Sequence, residues 1–95
     1  EPVRTFALLQ NYPNPFNAQT CVEVTAARPE QAEVMIYNLL GEPVAALHRG
    51  LLQAGKHKLI WTGNDAAGGQ APTGIYVIRL TAPGFTDSRK VLLLR

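Results

Sequence analysis

The chain has 95 residues, 46% of them hydrophobic and 17% charged, with a formal net charge of +2 at pH 7. That length holds one domain and no second, and the composition is that of a globular chain rather than a disordered one. Its Lys and Arg residues are scattered without a basic run, which argues against nucleic acid as a partner, and the single Cys21 can neither close an internal disulfide nor join a zinc-like Cys/His spacing.

Phe6 to Leu9 reads as a short first strand. The segment Gln10-Asn11-Tyr12-Pro13-Asn14-Pro15-Phe16-Asn17 can be neither helix nor central strand. Its two prolines remove donors and push Tyr12 and Asn14 to extended backbone, while Asn11, Asn14 and Asn17 favour turns. Tyr12 and Phe16 are expected to plug this loop onto the body of the domain. Thr20 to Ala26 alternates, with Thr20, Val22, Val24 and Ala26 on one face and Cys21, Glu23 and Thr25 on the other. Arg28-Pro29-Glu30 is a turn. Ala32 to Asn38 alternates again, placing Ala32, Val34 and Ile36 inward and Glu33, Met35 and Tyr37 outward.

Leu39 to Pro43 closes that strand, with Gly41 in a left-handed turn position. In Val44 to His48, Val44 and Leu47 sit three apart, which a flat strand would put on opposite faces. The spacing predicts a bulge or bend there, and also allows a helical turn. Gln53-Ala54-Gly55 is a turn, and Lys56 to Trp61 is a strand with His57, Leu59 and Trp61 on one face. Trp61 to Tyr76 carries four glycines, Pro72 and the pair Asn64-Asp65, so it is an ordered connection with Gly63, Asp65, Gly68 and Gly74 at its turns. Ile75 to Thr81 is apolar on both faces apart from Arg79, as a central strand would be. Pro83-Gly84 is a tight turn. Lys90 to Leu94 is a last strand, Val91 and Leu93 on one face and Leu92 and Leu94 on the other.

About seven strands with turn signals roughly every 8–12 residues predict an all-β fold, an Ig-like β-sandwich of mostly antiparallel strands forming one domain over 1–95. The expected core is Phe6, Val22, Val24, Val34, Ile36, Leu59, Trp61, Tyr76, Ile78 and Leu80, and the expected turn residues are Gly41, Gly55, Gly63, Asp65, Gly68 and Gly74. No stretch approaches the roughly 18 apolar residues of a membrane-spanning helix. The first residue is Glu1 rather than Met and no signal peptide is present, so the chain is expected to be a piece of a longer one.

Three blocks carry a family resemblance. They are Leu9-Gln10-Asn11-Tyr12-Pro13-Asn14-Pro15-Phe16-Asn17, then Val34 to Val44, and then Ala54 to Asp65 with Gly68, Gly74-Ile75-Tyr76 and the closing Lys90-Val91-Leu92-Leu93-Leu94-Arg95. With these the chain resembles the type A C-terminal sorting domains of proteins exported by the type IX secretion system, and equally the related Ig-like domain of flagellar hook-capping proteins. One departure is Ala18, where the family usually has Pro after the opening Asn. The resemblance implies a non-catalytic domain that ends a larger exported protein and is read in the periplasm by secretion translocon components. It also implies a fused N-terminal passenger, often a hydrolase or adhesin, delivered to the cell surface, the outer membrane or the medium. A structural spacer, assembly or cell-attachment module of the same fold is the rival reading, and a carbohydrate-binding accessory module a further one.

Sharper chemistry finds little support in the residues. His48 and His57 lack a partner at metal-ligand spacing, and Cys21 alternates within a strand without a base beside it. Asn64 and Asp65 offer one carboxylate where a calcium loop needs several. No Lys-Ser/Thr and no helix follow the glycines as a phosphate loop requires. Tyr12, Phe16, Tyr37, Trp61 and Tyr76 would serve as a sugar platform only if exposed and coplanar, whereas Trp61 and Tyr76 close inward-facing alternations. The chain is therefore expected to have no catalytic residue, metal, cofactor or small-molecule substrate.

Recognition is expected at the last strand, through Lys90, Val91, Leu92, Leu93, Leu94 and Arg95. Its sheet edge would accept a partner strand, and Lys90 and Arg95 would be free flanking charges. The second expected place is the opening loop, through Asn11, Pro13, Asn14, Pro15 and Asn17.

Overall fold

Alternating apolar residues bury one face of each strand, and two such faces stacked together make the core of the computed structural model, which describes residues 6–95. The part of the expected domain that falls on residues 1–5 lies outside the described residues. In chain order the strands are β1 (Ala7–Leu8), β2 (Thr20–Ala26), β3 (Glu30–Asn38), β4 (Pro43–Leu52), β5 (Gly55–Trp61), β6 (Gly74–Ala82) and β7 (Phe85–Leu93). One sheet has the order β1-β2-β5 and the other β4-β3-β6-β7, every neighbouring pair antiparallel. The fold is thus all-β, a sandwich of seven antiparallel strands of Ig-like type.

The core collects the inner residues of both sheets: Leu8, Val22 and Val24 from one, Val34, Ile36, Ile78, Leu80, Val91 and Leu93 from the other, with Phe6, Phe16, Trp61 and Tyr76 towards the ends. Each fully buried aliphatic side chain contributes about 1.5–3 kcal/mol of burial free energy. Two expectations of burial are corrected. Leu59 is only half-buried, because β5 is an edge strand and no described strand pairs with its outer side. Met35, on the outer face, is buried instead. Arg79 sits directly opposite this buried side chain on β6 and lies over the Tyr37 ring at 4.9 Å.

The awkward spacing in β4 resolves as two bulges and no helical turn. The register passes from Val34↔His48 to Met35↔Ala46, and from Ile36↔Ala45 to Tyr37↔Pro43. The residues skipped are Leu47 and Val44, the two that lie three apart, and both pack half-buried against the core. Side-chain amides and carboxylates close the turns. Asn38 Oδ1 accepts from the N–H groups of Leu40 and Glu42 at 2.9 and 3.0 Å in the β3–β4 hairpin. Asp65 Oδ1 accepts from Ala67 and Gly69 at 3.0 and 2.9 Å in the long connection.

Of the expected turn glycines, Gly41, Gly55, Gly63 and Gly68 have positive φ. Gly74 does not. It opens β6 in ordinary extended backbone, and a Cβ there would meet nothing within 4 Å, so the special role expected for it is withdrawn.

Candidate functional site

A sheet leaves backbone donors and acceptors bare at each edge, and each of the four edges here is treated differently. β1 has two residues, and its Leu8 N–H reaches the Asp87 carboxylate on β7, tying the two sheets together. β4 is kinked by its bulges and gives its Val44 carbonyl to Ala66 N–H at 2.8 Å. β5 stands uncovered. β7 is covered along its last residues by the Asn-Pro loop.

That cover is built in a specific way. Asn14 lays its carboxamide along the strand, Oδ1 accepting from Leu92 N–H at 2.9 Å and Nδ2 donating to the Lys90 carbonyl at 3.3 Å. Gln10 Nε2 donates to the same carbonyl at 3.1 Å. Two residues further on, true backbone takes over: Phe16 N–H donates to Leu92 O at 3.0 Å, and Leu94 N–H donates to Phe16 O at 2.8 Å. The loop therefore acts as a short surrogate strand, parallel to β7 at Phe16↔Leu93, with an Asn side chain replacing backbone for its first step. The expectation of a bare edge at residues 90–94 is corrected accordingly, because those groups are already used.

The loop is held from below by Asn11, which is only 3% exposed. Its Nδ2 donates to Thr20 Oγ1 at 2.8 Å, and Thr20 Oγ1 donates to the Pro13 carbonyl at 2.8 Å. The Tyr12–Pro13 and Asn14–Pro15 peptides are both cis. Phe16 is buried against Trp61, ring centroids 5.4 Å apart, and Trp61 meets Tyr76 edge-on at 5.1 Å. Tyr12 does not plug the loop as expected; it is 81% exposed and pairs with Cys21 on the outer face of the three-stranded sheet. Asn11 and Asn14 are thus spent on structure, while Pro13, Pro15 and Asn17 face solvent.

Arg95 is also not the free charge expected. Its backbone N–H donates to Thr73 Oγ1 at 2.9 Å, its Nε donates to the Ala71 carbonyl at 2.6 Å, and its Nη2 donates to the Gly63 carbonyl. The chain's last residue is latched onto the long glycine connection, where Gly63 at φ 77° leaves room for it: a Cβ there would stand 2.8 Å from Arg95 Nη2. Burial pushes the nearby Tyr76 phenol up, an effect the Arg95 charge partly offsets, and its hydroxyl donates to the Pro72 carbonyl at 2.5 Å. Lys90, by contrast, is exposed and uses only its backbone in this network.

The two segments expected separately as recognition elements are therefore one surface. Between them lies a shallow groove of about 490 Å³, lined by Pro13, Pro15, Phe16, Asn17, Leu94 and Arg95. Val91 and Leu93 are buried beneath it and Leu92 half-buried, so of residues 90–95 only Lys90 and Leu94 offer well-exposed side chains besides the latched Arg95. Gln10, Thr20, Ala71 and Thr73 also hold this surface and were not expected to. Their signal is a long-range hydrogen bond, which leaves no local pattern in the chain.

Among the described residues no group of three or more His, Cys, Asp and Glu could hold a metal ion. His48 Nε2 lies 3.2 Å from the Gly50 carbonyl and His57 Nε2 lies 2.7 Å from the Gln53 carbonyl, each a local strand or turn contact. Phe16, Trp61 and Tyr76 pack on one another in the interior, and Tyr37 lies half-buried under Arg79. These four rings therefore do not form an exposed coplanar platform.

Comparison with known proteins follows the fold. Solved structures that contain a similar domain include two from one bacterium. One is dimeric latent PorU from Porphyromonas gingivalis, 18% identical with a TM-score of 0.73, over 97% of this chain and 10% of that one. The other is PorZ, described as an essential bacterial surface component of the type IX secretion system of the same organism, 16% identical with a TM-score of 0.56, over 95% of this chain and 11% of that one. The chain thus spans about a tenth of each, and at these identities the likeness is one of fold. No curated protein matches it. The family model described as the FlgD Ig-like domain matches residues 14–84, from the opening Asn14 to the β6–β7 turn, and the chain belongs to that family.

Proposed function

We propose that this domain is a non-catalytic sorting module that directs a fused N-terminal passenger to the type IX secretion system for export to the cell surface or medium. The observation that carries the reading is the convergence of the two outer blocks of the family resemblance. The Asn-Pro loop and the Lys90–Arg95 segment, far apart in the sequence, meet as one hydrogen-bonded, solvent-facing surface. A receptor reading that surface would recognise the folded domain, because unfolding separates the two halves. The contacts available to translocon components are the side chains of Pro13, Pro15, Asn17, Lys90 and Leu94 around the groove, rather than a bare strand edge.

The test fuses residues 1–95 behind a signal peptide and a reporter in a type IX-competent host and measures reporter in the medium and on the surface. Export is expected, and export reduced in Lys90→Gln or Asn17→Ala without a change in melting temperature would place recognition on this groove. Retention of the reporter in the periplasm with the domain folded overturns the reading.

The rival is a structural or assembly module, which the FlgD Ig-like family membership supports. It predicts that the reporter stays behind and that the groove variants have no effect on localisation.

A further inference from the structure

Among the described residues, the edge strand β5 has β2 as its one hydrogen-bonded neighbour. Cys21 and Tyr12 exchange both backbone hydrogen bonds, at 2.8 and 2.9 Å, so the Cys21 backbone points away from β5. By alternation, Thr20, Val22, Val24 and Ala26 bond to β5 opposite Trp61, Leu59, His57 and Gly55. The N–H and C=O groups of Lys56, Lys58 and Ile60 therefore point outward, away from β2. Their side chains are the exposed ones of the strand as well.

Among the described residues, three strands face four. Inner-facing side chains that elsewhere are sealed remain half-buried here: Leu59 on β5, and Val44 and Leu47 on β4. Between the two edges lies a groove of about 460 Å³, walled by Ala45, Ala46 and Leu47 of β4 and by Ile60 and Trp61 of β5, with Asn64 to Ala66 across one end. A strand added beside β5 would cover it.

Charge decides what that strand can be. Lys56 and Lys58 stand at alternate positions along the edge, and among the described residues neither is in an ion pair. A second copy of β5 paired antiparallel about Lys58 would set that lysine against its own copy, which destabilises a cross-strand pair. We propose that the β5 edge binds an extended acidic segment of a partner polypeptide by strand addition. Run antiparallel to β5, the segment reads apolar-x-acidic-x-acidic, with the apolar residue beside Ile60, the carboxylates beside Lys58 and Lys56, and small apolar residues at x facing the groove. The inference does not rest on the sorting reading, and it concerns a different edge.

The test uses the 95-residue chain, nitrogen-15 labelled, and a synthetic heptapeptide carrying Val, Glu and Glu at alternate positions with Ala between. Expected are chemical-shift changes and slowed hydrogen exchange at the amides of Lys56, Lys58 and Ile60, and no binding by the same peptide with Lys in place of Glu. Lys58→Pro removes an N–H that bonds nothing inside the domain, so it should fold and lose binding. The double variant Lys56→Glu with Lys58→Glu should bind the acidic peptide at least tenfold more weakly and accept the basic one, and it keeps the test intact if the proline variant fails to fold. No shift change at millimolar peptide overturns the proposal. Unaltered binding by the charge-reversed variant, shifts without amide protection, or dimerisation of the free domain through β5 would also overturn it.

Discussion

Trp61→Ala is the sharpest test of how the core and the candidate surface are joined. Trp61 is 3% exposed, lies between Phe16 and Tyr76, and its indole N–H donates to the Asn64 carbonyl at 2.9 Å. Truncating a buried Trp to Ala costs about 3–5 kcal/mol through lost transfer energy and the cavity left behind. Each aromatic pair contributes roughly 0.5–1.5 kcal/mol beyond burial, which places this residue near the top of that range. A domain has about 5–15 kcal/mol in total. At roughly 4–8 °C per kcal/mol for a domain of this size, the melting temperature should fall by on the order of 12–40 °C in a thermal unfolding experiment followed by circular dichroism. Phe16 carries the loop that covers β7, so the loss should spread. Amide exchange at Leu92 and Leu94 should speed up more in Trp61→Ala than in Trp61→Phe, which keeps a ring against Phe16. A melting temperature within a few degrees of wild type would refute the packing argument, and unchanged exchange at Leu92 would refute the coupling of loop to core.

Arg95→Gln should lower stability by about 1–2 kcal/mol in a urea titration, since charge-assisted bonds to the Ala71 and Gly63 carbonyls are lost, whereas Lys90→Gln should leave the midpoint unchanged. Gly63→Ala should destabilise, because φ is 77° and the new Cβ would press on the Arg95 guanidinium, while Gly74→Val should shift the urea midpoint little or not at all. At Asp87, burial alone would raise the carboxyl pKa, but bonds from Arg89, from Ser88 N–H and from Leu8 N–H together hold it below the usual 3.8. A depressed folded value means stability that is fully present above about pH 4 and lost as pH falls through the folded pKa. Asp87→Asn should therefore flatten the acid limb of the stability–pH curve below about pH 4.

Much of this protein is legible in one dimension. Alternation with period two is a local signal, and it places Val22, Val24, Val34, Ile36, Ile78 and Leu80 in the core without reference to any partner. Turn chemistry is equally local: the positive φ of Gly41, Gly55, Gly63 and Gly68 follows from residue type and flanking polarity. Even the bulges of β4 are announced by the three-residue spacing of Val44 and Leu47. What needed the tertiary structure was the use of each polar group and the fate of each edge. Asn14 looks like any loop asparagine until Lys90 and Leu92 arrive beside it from the far end of the chain. Arg95 looks like a free charge until the glycine connection brings two carbonyls to its guanidinium. Tyr12 looks like a core aromatic until its backbone pairing with Cys21 turns the ring to solvent, and Leu59 looks fully inward until strand order leaves β5 at an edge. Local periodicity tells which way a side chain points, but only the pairing of distant strands decides what, if anything, stands in front of it.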